Sequence, residues 1–196
     1  MLKTVKKSAL VLAMASAAVL SLNAQAAEYV IDTEGAHASV NFKASHLGYS
    51  FIIGRFDKFE GTFNYDKENV ANNSATVTID TSSVNTGHAE RDKHLRSADF
   101  LNTGKFKEAK FVSTEFKQTE NDEGLLTGNL TLNGVTKPVV LEVEMIGAGD
   151  DPWGGERAGF EAEGEISMKE FGINHKFGDQ ADKVKLEIVV EGIKSR

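Results

Sequence analysis

The sequence predicts a mainly β domain whose strands close into an antiparallel barrel or stack as a sandwich. Three observations carry that expectation. Apolar and polar residues alternate along several stretches, turn residues separate those stretches, and no long apolar helix is available to cover a sheet. The alternation is cleanest where Phe160, Ala162, Gly164 and Ile166 interleave with Glu161, Glu163, Glu165 and Ser167. Val184, Leu186, Ile188 and Val190 interleave in the same way with Lys185, Glu187, Val189 and Glu191. A period of two puts alternate side chains on opposite faces, one dry and one wet.

Residues 1–26 stand apart from this pattern. Lys3, Lys6 and Lys7 precede a short apolar run, and Ala24-Gln25-Ala26 follows it, which is the three-part pattern of a secretory signal peptide. The run is too short for a permanent membrane helix. No cysteine stands at the cut, so no lipid anchor is expected there. The barrel domain is expected over residues 27–196.

Its elements follow in order. Residues 29–32 form a short opening strand, and residues 38–45 a second, with Val40, Phe42 and Ala44 inward. Residues 50–65 form one long strand carrying Phe51, Ile53, Phe59, Gly61 and Phe63 on its apolar positions. Its register slips near Gly54, which predicts a bulge or bend. Residues 75–80 place Val77 and Ile79 inward. Residues 109–118 form a strand of undecided facing, because Phe111 and Phe116 fall on opposite parities. Leu126, Leu130 and Leu132 line the next strand, and Asn133-Gly134 is a strong hairpin signal. Residues 137–147 return with Val139, Leu141, Val143 and Met145 on one face, then a loop is expected over residues 147–155. Residues 157–167 and 183–193 complete eight or nine strands, a number that encloses room for one small ligand.

Residues 86–102 predict a helix capped by Asn85 or Thr86. The spacing brings Asp92 to Arg96 and Glu90 to His94, each four apart. With so few apolar residues this helix suits a lid over one barrel end.

Charge excludes several function classes. Without Lys3, Lys6 and Lys7, 19 of the 22 basic residues remain against 29 acidic ones, a net charge of −10. That balance argues against nucleic acid and against electrostatic docking on anionic membranes. There is no cysteine, so no disulfide and no thiolate chemistry. His37, His46, His88, His94 and His175 fall in no metal-ligand spacing, and Asp150-Asp151 lacks a calcium-loop pattern, so no metal is expected. No nucleophile motif or phosphate-binding glycine loop occurs, and no catalytic residue is assigned. Asp92 and His94 lie two apart on a helix and do not face each other as an acid–base pair.

Several motifs run in order along the chain: His46-Leu47-Gly48, the stretch from Phe56 to Gly61, Ser83-Val84-Asn85-Thr86, the run from Arg91 to Phe100, the run from Gly128 to Pro138, and Asp150-Asp151-Pro152-Trp153-Gly154-Gly155. Together they resemble the YceI-like family of bacterial periplasmic proteins. Lys107 departs from the proline common at that point. The resemblance implies a lipocalin-like antiparallel barrel of about eight strands, located in the periplasm. Its apolar interior would hold a polyisoprenoid lipid, a quinone tail or a prenyl phosphate, with no cofactor, no catalysis and no stable membrane anchor. It leaves a homodimer open.

The expected cavity lining is Val40, Phe42, Phe59 and Phe63 from the first half of the chain, with Val77 and Ile79. Leu126, Leu130, Leu141 and Val143 continue it, and Phe160, Ile166, Leu186 and Ile188 complete it. Arg91, His94 and Arg96 are candidates to meet a polar head. Two other readings stay open: an enzyme acting on the head group around Asp92, His94 and Arg96, and a stress-related interaction protein with a solid barrel.

Overall fold

The computed structural model describes residues 26–175 and 177–195, so the expected signal segment up to residue 25 lies outside the described residues. The strands are β1 (Ala27–Ile31), β2 (Ser39–His46), β3 (Ser50–Phe56), β4 (Phe59–Tyr65), β5 (Ser74–Asp80) and β6 (Val84–Asn85). Helix α1 (Ala89–Arg96) intervenes before β7 (Glu108–Gln118), β8 (Glu123–Leu132), β9 (Val135–Asp150), β10 (Glu156–Ser167) and β11 (Lys183–Lys194).

All pair in one antiparallel sheet, ordered β1-β4-β5-β7-β8-β9-β10-β11-β2-β3-β6, and a second pairing of β1 with β11 closes it. The C-terminal part of β11 pairs with β1, from Tyr29–Lys194 to Ile31–Gly192. Its N-terminal part pairs with β2, from Ser39–Val189 to Ala44–Val184. Strands β1 and β2 therefore form one stave of the wall, as do β3 with β4 and β5 with β6. The result is a closed barrel of eight staves with a single α-helix among the described residues. The sandwich alternative is thereby excluded.

Four local expectations are corrected or completed. The single strand over residues 50–65 is broken at Asp57-Lys58, because that corner bonds sideways. The Asp57 N–H donates to Ser83 O at 3.1 Å, and the Asp57 carboxylate accepts from Arg55 and Asn85. In β7 the register shifts between Ser113 and Glu115, and this bulge turns both Phe111 and Phe116 inward despite their opposite parity. The loop expected from Gly147 is strand up to Asp150, where Asp151 N–H donates to Gly155 O at 2.9 Å and turns the hairpin.

The helix is the fourth correction. It spans eight residues, and its cap is His88, whose Nδ1 accepts the Arg91 N–H. Gly87 at φ +72° stops it from reaching back to Thr86. Beyond Ser97 the chain folds into turns, with Asn102 at φ +48°. The Asn133-Gly134 turn forms as expected, both residues at positive φ.

Candidate functional site

A cavity of about 640 Å³ runs through the barrel. That size falls within the range of ligand pockets, roughly 300–1,000 Å³. The expected lining residues lie on it: Val40 and Phe42 of β2, Phe59 and Phe63 of β4, Val77 and Ile79 of β5. Leu126 and Leu130 of β8, Leu141 and Val143 of β9, Phe160 and Ile166 of β10, and Leu186 and Ile188 of β11 close the ring. Phe51, Ile53 and Met145, which the alternation also set on apolar faces, do not line it: Phe51 and Ile53 point outward, and Ile52 takes the lumen side of β3. Phe42, Phe59, Val77, Leu126 and Phe160 point inward yet are only half-buried, because an open lumen lies beside them. A solid barrel would have sealed them.

The glycines of the wall have a part of their own. A Cβ on Gly128 would stand 2.4 Å from Cζ of Phe111, and one on Gly164 would stand 2.7 Å from Cδ2 of Leu141. Gly54 and Gly124 receive the rings of Phe42 and Phe116 in the same way. The glycines let large side chains lie flat against the wall, and the lumen stays clear.

At the end opposite the helix, Tyr65 of β4 reaches across to β9, the stave facing it. Its hydroxyl donates to Met145 Sδ at 3.3 Å, and its ring meets Phe160 at 5.5 Å. Burial pushes the Tyr65 phenol above its usual pKa. Phe63 packs edge-on against Phe160 at 5.4 Å and stacks on Tyr29 at 5.1 Å. These rings floor the lumen.

The other end carries α1. Glu90, Arg91, His94 and Leu95 line the lumen there with His46, Leu47 and Phe177. The two expected helix pairs do not form. Buried Asp92 instead accepts the N–H and the hydroxyl of Thr86, at 2.8 and 2.5 Å. His94 Nε2 faces Asp99 at 3.3 Å and its ring packs on Phe100. Arg91 donates from Nε to Thr86 Oγ1 at 2.7 Å and from Nη2 to Thr86 O at 2.9 Å. Arg96 turns away to donate to Val84 O at 3.3 Å, and it is not on the lumen wall. Of the three residues expected at a polar head, the fold thus brings Arg91 and His94 to the mouth and leaves Arg96 bracing strand β6. Asp92 and His94 are engaged with different partners, so no acid–base dyad is assembled.

Several wall residues escaped the sequence reading. Phe111 and Phe116 were hidden by the β7 bulge. Phe177, Ile173 and Leu47 come from turns and loops, where no periodicity marks them. Outside the barrel, Asp32, His37 and Glu191 gather closely enough to suggest a cation site. Arg157 already occupies it, donating from Nη1 to Asp32 at 2.8 Å and to Glu191 at 2.5 Å. That arginine holds the Asp32 carboxyl below its usual pKa, helped by the Gly35 N–H. The donor set suits a guanidinium and not a metal.

The outer wall is charged, with Lys185 against Glu163 at 2.9 Å and Lys183 against Glu165 at 2.6 Å. Among the described residues no helix is long and apolar enough to cross a membrane.

Residues 29–192, from β1 to β11, match the YceI-like domain. The chain is 56% identical over 191 residues to Protein YceI of Escherichia coli O157:H7, covering 97% of this chain and 100% of that protein. It superposes on the Campylobacter jejuni YCEI protein with a TM-score of 0.70 at 30% identity, over 78% of this chain and 90% of the other. A polyisoprenoid binding domain from Saccharophagus degradans shares the fold, with a TM-score of 0.62 at 17% identity over 87% of this chain and 99% of that one. On both the match across the barrel and the identity over nearly its whole length, the chain belongs to the YceI-like family.

Proposed function

We propose that this protein binds a polyisoprenoid lipid in the barrel lumen and carries it through the periplasm without acting on it chemically. One observation carries the reading: the lumen wall is apolar along its length, and its polar groups sit only at the two ends. A long hydrocarbon fits such a channel and a polar metabolite does not. Binding efficiency for larger ligands is about −0.3 kcal/mol per heavy atom. A prenyl chain of ~40 carbons would then gain ~−12 kcal/mol, close to a nanomolar dissociation constant. Burial alone suffices, and no charged clamp is needed.

Arg91 and His94 stand where a quinone or phosphate head would emerge. Arg91 Nη1 has no protein partner among the described residues and is free to donate. Asp92 and His94 are bound to Thr86 and Asp99, which speaks for a carrier and against an enzyme. The N-terminal secretory pattern and the relatives support the periplasm. A charged outer wall, unlike the apolar band of a membrane barrel, supports a protein that moves in water.

Delipidated protein titrated with prenyl alcohols of increasing chain length tests the reading. Affinity should climb with each isoprene unit and then level off once the lumen is full. Affinity independent of length would defeat it.

A further inference from the structure

The β2–β3 hairpin stands at the mouth of the lumen and carries apolar side chains in the open. Leu47 is 46% exposed, Tyr49 88%, Phe51 61% and Ile53 65%. Tyr49, Phe51 and Ile53 follow one another on the outer face, while Ile52 between them and Phe56 beyond them face the lumen. Elsewhere on the outer wall exposed apolar side chains such as Val30, Val140 and Ile146 are interspersed with charged ones such as Lys183, Lys185 and Glu163.

The turn itself adds a second, independent sign. Tyr49 N–H donates to His46 O at 3.0 Å, closing a turn whose central residues Leu47 and Gly48 have φ of +56° and +79°. Glycine and asparagine are the residues that take this conformation readily. A leucine there is strained, and folding does not ask for it. Its side chain lines the lumen and also projects into solvent. Phe177, 46% exposed, does the same across the mouth.

We propose that this hairpin docks the mouth of the barrel onto a lipid bilayer, with Leu47, Tyr49, Phe51 and Ile53 entering the headgroup region. The inference rests on the lumen being a lipid carrier. Continuity decides the occupant: Leu47 belongs both to the exposed apolar hairpin and to the lumen wall. A cargo that lives in a bilayer can then pass inward without crossing water. Lys43 supports the same occupant, with its ammonium 4.4 Å above the Phe51 ring. A lysine beside an aromatic ring is the pairing that sits well at the interface of a membrane. The opposite end offers the reverse chemistry. Trp153 is 76% exposed there, but its ring packs over Arg157, whose Nε donates to Asp151. Glu120, Asp122, Glu123 and Glu144 lie together at the β7–β8 turn of that same end.

The test is flotation of the mature protein with phosphatidylcholine vesicles, comparing the wild type with a Phe51→Ser, Ile53→Ser double variant and with Trp153→Ser. Both changed hairpin side chains are exposed and point away from the lumen, so the thermal midpoint and the binding of detergent-delivered prenyl alcohol should match the wild type. The double variant should lose vesicle binding by on the order of tenfold or more, since each buried apolar side chain is worth about that factor. Trp153→Ser should bind as the wild type does, and added salt should leave binding in place. Transfer of prenyl lipid from vesicle to protein should slow in step with flotation. Equal flotation of wild type and double variant overturns the proposal. So does a wild type that ignores vesicles and instead forms a dimer which the double variant abolishes. A lumen that takes up no prenyl alcohol defeats the carrier reading, while flotation still reports on docking by itself.

Discussion

At the helix end of the barrel the lumen wall runs out through Leu47 and Phe177 into exposed apolar side chains. At the opposite end it meets the Tyr65, Met145 and Phe160 contacts, and beyond them an acidic rim. Both ends are built from the same antiparallel staves. What differs is what the turns carry. The helix end has an apolar hairpin and a helix whose polar groups reach the mouth, while the other end has rings meeting across the channel. The lumen therefore has a direction, and in the proposed function the tail lies against Tyr65 and the head leaves beside Arg91.

The largest effect should come from spoiling the wall between the two ends. Leu130→Asp places a carboxyl in an apolar lining, where an unpaired charge costs several kcal/mol or forces protonation. Lipid recovered with the purified variant should fall below detection. Ala162→Phe, which fills the lumen without adding charge, should cut it by a large factor while keeping the fold. Normal loading of both would remove the lumen from the account.

Next in size is the floor. Tyr65→Ala removes the ring that spans from β4 to β9; because Tyr65 is half-buried, the cost should fall below about 3–5 kcal/mol, the range for a fully buried aromatic truncation. The lumen lengthens past the position of the Tyr65 ring, so the preferred prenyl chain should grow longer, measured by competition among chain lengths. An unchanged preference would mean that the floor lies elsewhere.

A smaller effect is set by pH and separates the rim from the lumen. Asp32 has a folded pKa below the ordinary value of 3.8, chiefly through its bond to Arg157. The stability that this bond adds is fully present above the unfolded pKa and is lost as pH falls through the folded value. Wild type should thus melt above Asp32→Asn at neutral pH, and the gap should close in strong acid. Lipid loading should not change. The smallest effect belongs to the outer wall: Lys185→Ala breaks an exposed pair with Glu163, and both melting and loading should match the wild type.

How much of this was legible in the sequence differs between wall and ends. Alternation is a local signal, so β8, β10 and β11 and their inward residues could be picked out residue by residue. Parity fails at a bulge, which is why Phe111 and Phe116 could not both be placed before the Ser113–Glu115 shift was seen. The helix ends depended on Gly87 and on Asp92 choosing Thr86 over Arg96, a competition between two local partners that spacing alone does not rank. The floor was invisible, because Tyr65 and Met145 meet only once the sheet has closed. Phe177 and Leu47 sit in turns, where exposure and lumen contact follow from the three-dimensional path of the chain.

The most direct test of a lipid carrier is to purify the mature protein from the periplasm without detergent, extract it with organic solvent and identify the extract by mass spectrometry. The account predicts one prenyl species in near-equal amount to the protein, absent from Leu130→Asp prepared alongside. A wild-type extract with no prenyl lipid, from protein purified out of cells that make such lipids, would contradict it.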